Sequence, residues 1–161
     1  MPDWKNLLNE DEWEMLCDNC GLCCLFKVCD EDTGEVFYTS IVCPFLDRET
    51  VRCVCYGERF RRMPTCTKVS ADSLPEIAGW MPGNCAYRCL MEGISLPDWH
   101  PLYSDPSPEA AALLEKLSAV CVRPASHITK EKAEELIRNS TPAKSPRKLT
   151  RLLLKHIIGK L

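Results

Sequence analysis

The sequence lacks the apolar segments that would carry a protein into or across a membrane. No stretch approaches the roughly 18 uninterrupted apolar residues of a membrane span. Residues 1–14 contain six charged side chains, where a secretory signal peptide would have an apolar core. Together these absences predict a cytoplasmic protein, in a compartment that keeps thiols reduced.

Common catalytic motifs are also missing. The sequence has no nucleophile elbow, no phosphate-binding glycine loop and no dinucleotide fingerprint, and it contains no internal repeat or low-complexity tract. With no catalytic motif to build on, we leave enzymatic activity open and favour a protein that is not an enzyme. We predict no nucleic-acid partner.

Cysteine, by contrast, is in excess, with twelve among 161 residues. In a short secreted chain this would indicate a disulfide framework, but in a reducing compartment clustered cysteines are more often metal ligands. The remaining composition, 45% hydrophobic and 27% charged, is that of an ordinary globular protein with a modest core.

Four of the cysteines fall within eight residues, at Cys17, Cys20, Cys23 and Cys24. Thiolates packed this densely repel one another unless a soft cation holds them. Two intervening residues allow the backbone to turn around an ion, and Gly21 eases that turn. A redox-active CxxC pair is the weaker interpretation, because no thioredoxin-like βαβ pattern surrounds it. The segment therefore predicts a metal site.

Further ligands must come from more distant cysteines, which lie beside prolines or turns: Cys43, Cys53, Cys55, Cys66 and Cys85. Zinc takes four thiolates in a tetrahedron, commonly from CxxC pairs on separate loops. An iron–sulfur cluster uses C-x2-C-x2-C with a remote cysteine that is often followed by proline, as Cys43 is by Pro44. Spacing alone leaves both metals open. The acidic turn at 30–35 fits a calcium loop poorly, because its glycine is one place early.

Several separated motifs together carry a family resemblance: Cys17-x2-Cys20-Gly21-x-Cys23-Cys24, Cys43 followed by Leu46, Cys53-x2-Tyr56 with Arg59, Pro64-x-Cys66, and Cys85-Ala86-Tyr87-Arg88 continuing through Glu92-Gly93 to Leu96-Pro97-x-Trp99-His100-Pro101-Leu102. Over residues 10–125 the chain resembles the bacterial cysteine-cluster family called YcgN-like, which is related to YkgJ and described as a zinc- or iron-chelating CxxCxxCC domain.

The resemblance implies a bound metal, zinc or iron, with iron either as an ion or in an iron–sulfur cluster. It also implies eight metal ligands, at Cys17, Cys20, Cys23, Cys24, Cys43, Cys53, Cys66 and Cys85. Four cysteines lie outside the family pattern and are interpreted as buried small side chains or incidental thiols: Cys29, Cys55, Cys89 and Cys121.

The pattern of apolar, turn and capping residues predicts a small α+β fold, mostly helical, with a short β-hairpin and an irregular middle organised by metal. The hairpin pairs a strand at 36–42 with residues 51–55. The predicted helices are at 9–17, 85–92, 108–119, 129–139 and 146–159, the fourth beginning after Thr129 as N-cap. Because a loop-rich segment buries little surface, metal should supply much of its folding energy.

The C-terminal segment is basic and amphipathic. Residues 144–161 carry six lysines and arginines and no acid, so residues 1–143 hold a net charge of −9 within the total of −3. We predict a cysteine-cluster metal-binding domain at 1–143 and an amphipathic helix at 144–161, in the same domain or appended to it after a linker at 141–146. Such a helix could lie on an anionic membrane or in a partner's groove. Docking on its own domain is favoured.

Two functions are compatible with these features. The first is a cytoplasmic metal-binding protein of uncharacterised role, which binds zinc or iron. It would act in metal handling or as a module that binds a protein partner. The second is an iron–sulfur protein with redox or catalytic activity. Near the cysteines, a basic and aromatic set is predicted to compensate thiolate charge: Tyr56, Arg59, Arg61, Arg62 and Arg88. His100 is interpreted as a structural histidine, hydrogen-bonded in a rigid loop.

Overall fold

The structure is a computed structural model that describes residues 8–96, 100–108, 110–112, 114–115, 128–143 and 156–161. The chain divides into two compact units. The first unit comprises the described parts of Met1–Asp18 and Val69–His127, and the second those of Asn19–Lys68 and Ile128–Leu161. Helices accompany two small sheets, which confirms the predicted α+β class. Among the described residues, no helix is both long enough and apolar enough to span a membrane.

The elements with defined bounds are short. The helices are α1 (Glu10–Met15), α2 (Arg59–Arg62), α3 (Leu74–Ile77), α4 (Ala86–Glu92) and α5 (Lys130–Arg138). The strands are β1 (Leu25–Cys29), β2 (Val36–Val42), β3 (Leu46–Asp47), β4 (Arg52–Cys53), β5 (Thr141–Pro142) and β6 (Ile157–Gly159). Single 3-10 turns lie at Leu22–Cys24, Tyr56–Glu58, Ala78–Trp80 and Pro101–Tyr103.

The first unit is helical, and its core is formed by side chains of α1, α3 and α4 and of the loops that follow them. Its leucines Leu16, Leu74, Leu90, Leu96 and Leu102 are almost completely buried. The predicted helix at 85–92 is confirmed as α4, which ends at Gly93 in the left-handed conformation, φ 71°. Of the predicted helix at 108–119, residues 108, 110–112, 114 and 115 are helical, and the others lie outside the described residues.

A buried carboxylate fastens the start of α1, the helix predicted at 9–17. Asn9 and Glu12 form a capping box, in which each side chain accepts a hydrogen bond from the other residue's backbone N–H. The second oxygen of Glu12 accepts the backbone N–H of Ser107 at 3.0 Å. Burial alone would raise the pKa of Glu12, but the hydrogen bonds from Ser107 and Asn9 outweigh it and hold the pKa below its ordinary value of 4.5.

Acidification is therefore expected to weaken the first unit through Glu12. Since the folded pKa is depressed, the carboxylate's contribution is present above its ordinary pKa and is lost as the pH falls through the folded value. Glu12→Gln should lower the free energy of unfolding by about 1–2 kcal/mol at pH 7. Urea unfolding of both proteins at pH 7 and pH 3 measures this. The wild type and Glu12→Gln should differ less in free energy of unfolding at pH 3 than at pH 7. An equal difference at both pH values would contradict a depressed pKa for Glu12.

In the second unit, β2 is the central strand of the larger sheet. It pairs antiparallel with β1 from Leu25 opposite Val42 to Cys29 opposite Val36. It also pairs in parallel with β5 and antiparallel with β6, whereas β3 and β4 form a separate two-stranded hairpin. Helix α5 is capped by the Thr129 side chain, as predicted, and buries Ala133 and Ile137 in this unit's core.

The strand predicted at 36–42 is confirmed, but its predicted pairing with 51–55 is wrong. Its partner is β1, which the turn at 30–35 brings back alongside it. The Asp30 carboxylate accepts the backbone N–H groups of Asp32 and Thr33, and Gly34 follows with φ 70°. The tight turn favours pairing of the strands that are adjacent in sequence. Residues 52–53 pair instead with β3.

The end of the predicted C-terminal helix at 146–159 is also wrong, because Ile157–Gly159 form β6. This strand adds to β2, and Lys160 makes an ion pair with Glu35. β-Branched isoleucines suit an added strand. Residues 144–155 lie outside the described residues, and the domain boundary at 143 stays a prediction. Within the predicted linker, Thr141 and Pro142 form β5.

Candidate metal centre

The cysteine-rich segment is shaped by two left-handed residues. Asn19 has φ 56° and Gly21 has φ 76°, and the chain then enters the 3-10 turn at Leu22–Cys24 that leads into β1. Leu22, inside this turn, is completely buried. The exposed Cys23 and half-buried Cys24 therefore sit on a turn that is anchored in the core of the second unit. Cys20 is half-buried and packs against the same core.

Gly21 is required both by its conformation and by the space around it. A Cβ at this position would lie 2.7 Å from Cγ1 of Val51 and 3.2 Å from Cγ1 of Ile137. Val51 is itself strained, with φ 54°, which is rare for a β-branched residue. The turn that presents Cys23 and Cys24 is thus pressed against the turn between β3 and β4.

Cys43 follows β2 and lies beside the 3-10 turn. Its backbone N–H donates to the carbonyl oxygen of Cys24 at 2.9 Å. Burial raises the pKa of the Cys43 thiol, while hydrogen bonds from the backbone N–H groups of Phe45 and Leu46 act in the opposite direction. Hydrogen bonds of this kind stabilise a thiolate, the form that binds metal.

Cys53 and Cys55 are brought to Cys43 by the β3–β4 hairpin. Cys53 pairs across the strands with Leu46, and the backbone N–H of Val54 donates to the Phe45 carbonyl at 2.9 Å. The sulfurs of Cys53 and Cys55 are 3.8 Å apart, and Cys55 is buried. The sequence offered Cys55 as one of several remote ligand candidates, but the eight ligands implied by the family resemblance did not include it. The i, i+2 spacing beside a strand, which places both side chains on one face, is the sequence signal that supports it.

Cys66 lies in the turn after α2, where its backbone N–H donates to the carbonyl of the buried Met63 at 2.9 Å. Burial raises the pKa of its thiol and the charge of Arg59 lowers it, while the thiolates of Cys23, Cys43 and Cys53 raise it further. Cys66 is thus within electrostatic range of cysteines from three other segments of the second unit.

Neighbouring cysteines also raise the pKa of the Cys24 thiol. Its hydrogen bond with Cys23, its burial and the charges of Cys23, Cys43 and Cys66 raise the pKa of its thiol far above the ordinary value. The raised pKa favours the protonated form of the Cys24 thiol when no cation is bound. We call the cysteines that each act on at least one other in this way the thiol cluster, and its members are Cys23, Cys24, Cys43, Cys53, Cys55 and Cys66.

Two arginines supply positive charge to the thiol cluster. Arg59 acts on Cys66, and Arg62 lowers a pKa of Cys55 that burial and Cys53 raise. Aromatic rings hold both guanidinium groups, with Arg59 3.7 Å from the Tyr56 ring centroid and Arg62 4.5 Å from that of Phe45. This agrees with the charge-compensating role predicted for them. The other two arginines of the predicted set pair with carboxylates, Arg61 with Glu58 and Arg88 with Glu92.

The remaining predicted ligands belong to the first unit. Cys17 is exposed just after α1, and Cys85 is the N-cap residue of α4, with its sulfur 3.9 Å from that of Met81. Of the cysteines that the resemblance did not include, Cys89 is buried and Cys29 half-buried, whereas Cys121 lies outside the described residues. The eleven cysteines that the structure describes are reduced thiols.

His100 is structural, as predicted. It is almost completely buried, its Nε2–H donates to the Leu16 carbonyl at 3.0 Å, and its Nδ1 accepts the Leu102 N–H at 3.2 Å. Both ring nitrogens are therefore engaged by the backbone of the first unit, and we do not assign His100 to a metal.

The donor set of the thiol cluster fits a soft cation that prefers thiolates, which zinc and iron both do. Across the described ranges, no three histidine, cysteine, aspartate or glutamate side chains converge closely enough, as they stand, to hold a metal ion. The cysteines of the thiol cluster therefore act on one another electrostatically without converging on one point.

Comparisons with known proteins agree with this chemistry. Residues 16–86 match the CxxCxxCC family model, described as a "Putative zinc- or iron-chelating domain". No solved structure matches the chain significantly. The domain implied by the resemblance is thereby confirmed, whereas the narrower YcgN-like name is not.

Three relatives illustrate the similarity, each bearing the name UPF0260 protein. The one from Marinobacter nauticus is 51% identical over 65% of this chain and 72% of its own length. The one from Shewanella amazonensis is 44% identical over 75% of this chain and 86% of its own length. The one from Gluconobacter oxydans is 47% identical over 63% of this chain and 64%, less than two thirds, of its own length. The chain belongs to the UPF0260 protein family.

Proposed function

We propose that the protein is a cytoplasmic metal-binding protein whose second unit takes up zinc or iron through cysteine thiolates. The observation that carries this proposal is that the fold brings cysteines from separate segments side by side, with the backbone N–H of Cys43 donating to the Cys24 carbonyl at 2.9 Å. Neighbouring cysteines raise the pKa values of the Cys24, Cys43 and Cys66 thiols. An apolar role does not explain this grouping, since isolated buried cysteines would serve equally well.

The other predicted ligands have different degrees of support. Cys53 is proposed as a ligand because its hairpin partner Leu46 lies three residues from Cys43 and because it also acts on Cys66. Cys20 is proposed on its place in the CxxCxxCC segment. Cys17 and Cys85 are proposed from the family pattern alone. When bound, the metal supplies cross-links between loops, and with them folding free energy.

Metal analysis of protein purified anaerobically without added metal tests the proposal. We expect at least about one zinc or iron per chain, retained through gel filtration. Acid-labile sulfide, measured on the same sample, separates iron held directly by thiolates from an iron–sulfur cluster. A reduced, folded chain that carries no metal and binds neither zinc nor ferrous iron when these are added would contradict the proposed function.

A further inference from the structure

We infer that Cys53 and Cys55 are a redox-active thiol pair, which a low-molecular-weight disulfide of the glutathione class converts into an intramolecular disulfide. The inference goes beyond the proposed function and does not depend on metal binding. It gives a role to Cys55, which is not among the eight ligands that the family resemblance implies.

The sulfurs of the two residues already lie in contact. They are 3.8 Å apart and share a hydrogen bond, and both residues are reduced thiols. The sulfurs of a disulfide are about 2.05 Å apart, so the pair at 3.8 Å has to approach by about 1.8 Å. The bond can therefore form without bringing together distant parts of the chain.

The backbone around the pair is held on both sides. Residues two apart in an extended chain share a face, and the intervening Val54 is 68% exposed on the other. The backbone N–H of Val54 donates to the Phe45 carbonyl at 2.9 Å, which fixes the chain to β3. Beyond the pair, the backbone N–H of Glu58 donates to the Cys55 carbonyl at 2.8 Å. These hydrogen bonds keep the two thiols side by side.

Burial gives the two thiols different roles. Cys53 is half-buried, so a small soluble disulfide can reach its sulfur. Cys55 is only 7% exposed, which shields its sulfur from a molecule of that size. Cys53 is therefore the thiol that attacks the oxidant, and Cys55 is the thiol that resolves the mixed disulfide from inside the protein.

The reaction consists of two thiol–disulfide exchanges. The Cys53 thiolate attacks one sulfur of glutathione disulfide, whose S–S bond breaks and releases one glutathione thiolate. The Cys55 sulfur then attacks the Cys53 sulfur of the mixed disulfide and displaces the second glutathione. Each protein thiol gives up one proton, and the two departing thiolates take up these protons. Two electrons thus pass from the protein thiols to glutathione disulfide, which becomes two glutathione molecules.

The bond is expected to be reversible. Its loop contains a single residue, so closing it restricts the unfolded chain little and adds little stability. In the reducing compartment that the sequence predicts, disulfides are usually transient and serve catalysis or redox sensing. Because Cys53 is also a proposed metal ligand, metal and oxidant would compete for the same thiol.

Mass spectrometry of the full chain tests the pair directly. The reduced protein, freed of metal by a chelator, is incubated anaerobically with glutathione disulfide, alkylated in denaturant and digested with trypsin. Cleavage after Arg52 and Arg59 releases residues 53–59, which contain Cys53 and Cys55 and no other cysteine. We expect this peptide without alkyl groups and lighter by two hydrogen atoms. Dithiothreitol should restore both alkylation sites.

Single variants test the two roles. Cys55→Ser should stop at the mixed disulfide, with one glutathionyl group on Cys53, because the resolving thiol is missing. Cys53→Ser should leave Cys55 unmodified before denaturation. Cys29→Ser makes the same substitution elsewhere in the second unit and should form the disulfide as the wild type does.

Two results would overturn the inference. One is a wild-type peptide in which both cysteines remain open to alkylation, and the other is a disulfide that joins Cys53 to a cysteine of another peptide. Glutathionylation of Cys55 in Cys53→Ser would overturn the assigned roles. None of these results bears on the proposed function, which the metal content of the reduced protein tests by itself.

Discussion

Cys43→Ser is expected to strip the second unit of metal. Cys43 is hydrogen-bonded to the Cys24 backbone at 2.9 Å and acts on the thiols of Cys24, Cys55 and Cys66, so its loss removes a central member of the thiol cluster. Serine keeps the size of the side chain but is a poor ligand for zinc or iron compared with a thiolate. Affinity should fall by more than about 100-fold, because even partners that only orient a ligand are worth about 10- to 100-fold.

Competition with a chromophoric chelator under anaerobic conditions measures this change. Cys29→Ser is the matched control, since it makes the same chemical substitution in the same unit. The Cys29 thiol is half-buried at the end of β1 and donates to the Asp30 carbonyl rather than facing the thiol cluster. Equal metal affinity in the two variants would refute the ligand role of Cys43.

The melting temperatures of the wild type, Cys29→Ser and Cys43→Ser should follow their metal content. Metal binding to a site that is absent from the unfolded chain is folding free energy, so a chelator should lower the melting temperature of the wild type and of Cys29→Ser. Cys43→Ser should melt lower at the outset and respond little to the chelator. A melting temperature of the wild type that is indifferent to the chelator would mean that the metal is bound without supporting the fold.

Local capping and turn chemistry explains the elements that the sequence predicted well. Helix α1 begins at the Asn9 and Glu12 capping box, α5 begins after Thr129, and α4 ends at Gly93. Each of these signals lies within a few residues of the element that it limits. The strand at 36–42 was recognisable for a similar reason, because β-branched and aromatic residues fill it.

Pairing between distant segments was not predictable in the same way. Leu25–Cys29 is a short run that contains Lys27 and follows the cysteines directly, so it carries little strand pattern of its own, yet it is the main partner of β2. Likewise, Ile157–Gly159 are strand residues because β2 offers them a place to pair. Such contacts depend on which surfaces remain available after the local elements form, and no single window of sequence contains that information.

The candidate site, too, was predictable only as far as local sequence determines it. The density of cysteines predicted metal chemistry from sequence alone, because clustered thiols in a reducing compartment have few other uses. Which thiols meet is decided by the β3–β4 hairpin and by the hydrogen bond between Cys43 and Cys24. The sequence named Cys55 only as one of five remote candidates, whereas the hairpin places its sulfur 3.8 Å from that of Cys53.

Gly21→Ala is expected to disrupt the turn that presents Cys23 and Cys24. Alanine in the left-handed conformation costs roughly 1–2 kcal/mol. The new methyl group would also lie 2.7 Å from the strained Val51 side chain. Overpacking of this kind adds about 1–3 kcal/mol. Gly34→Ala is the matched control, because Gly34 has a similar φ of 70° and nothing within 4 Å of the added Cβ.

Urea unfolding and zinc affinity of the two variants separate backbone strain from displacement of the turn. Gly34→Ala should lose only the cost of the left-handed alanine and keep the wild-type affinity for zinc. Gly21→Ala should lose about 2–5 kcal/mol in all and bind zinc more weakly, since relief of the overlap must move the turn that carries two thiols. Equal losses of stability in both variants, with zinc affinity unchanged in each, would show that the contact of Gly21 with Val51 does not position the thiol cluster.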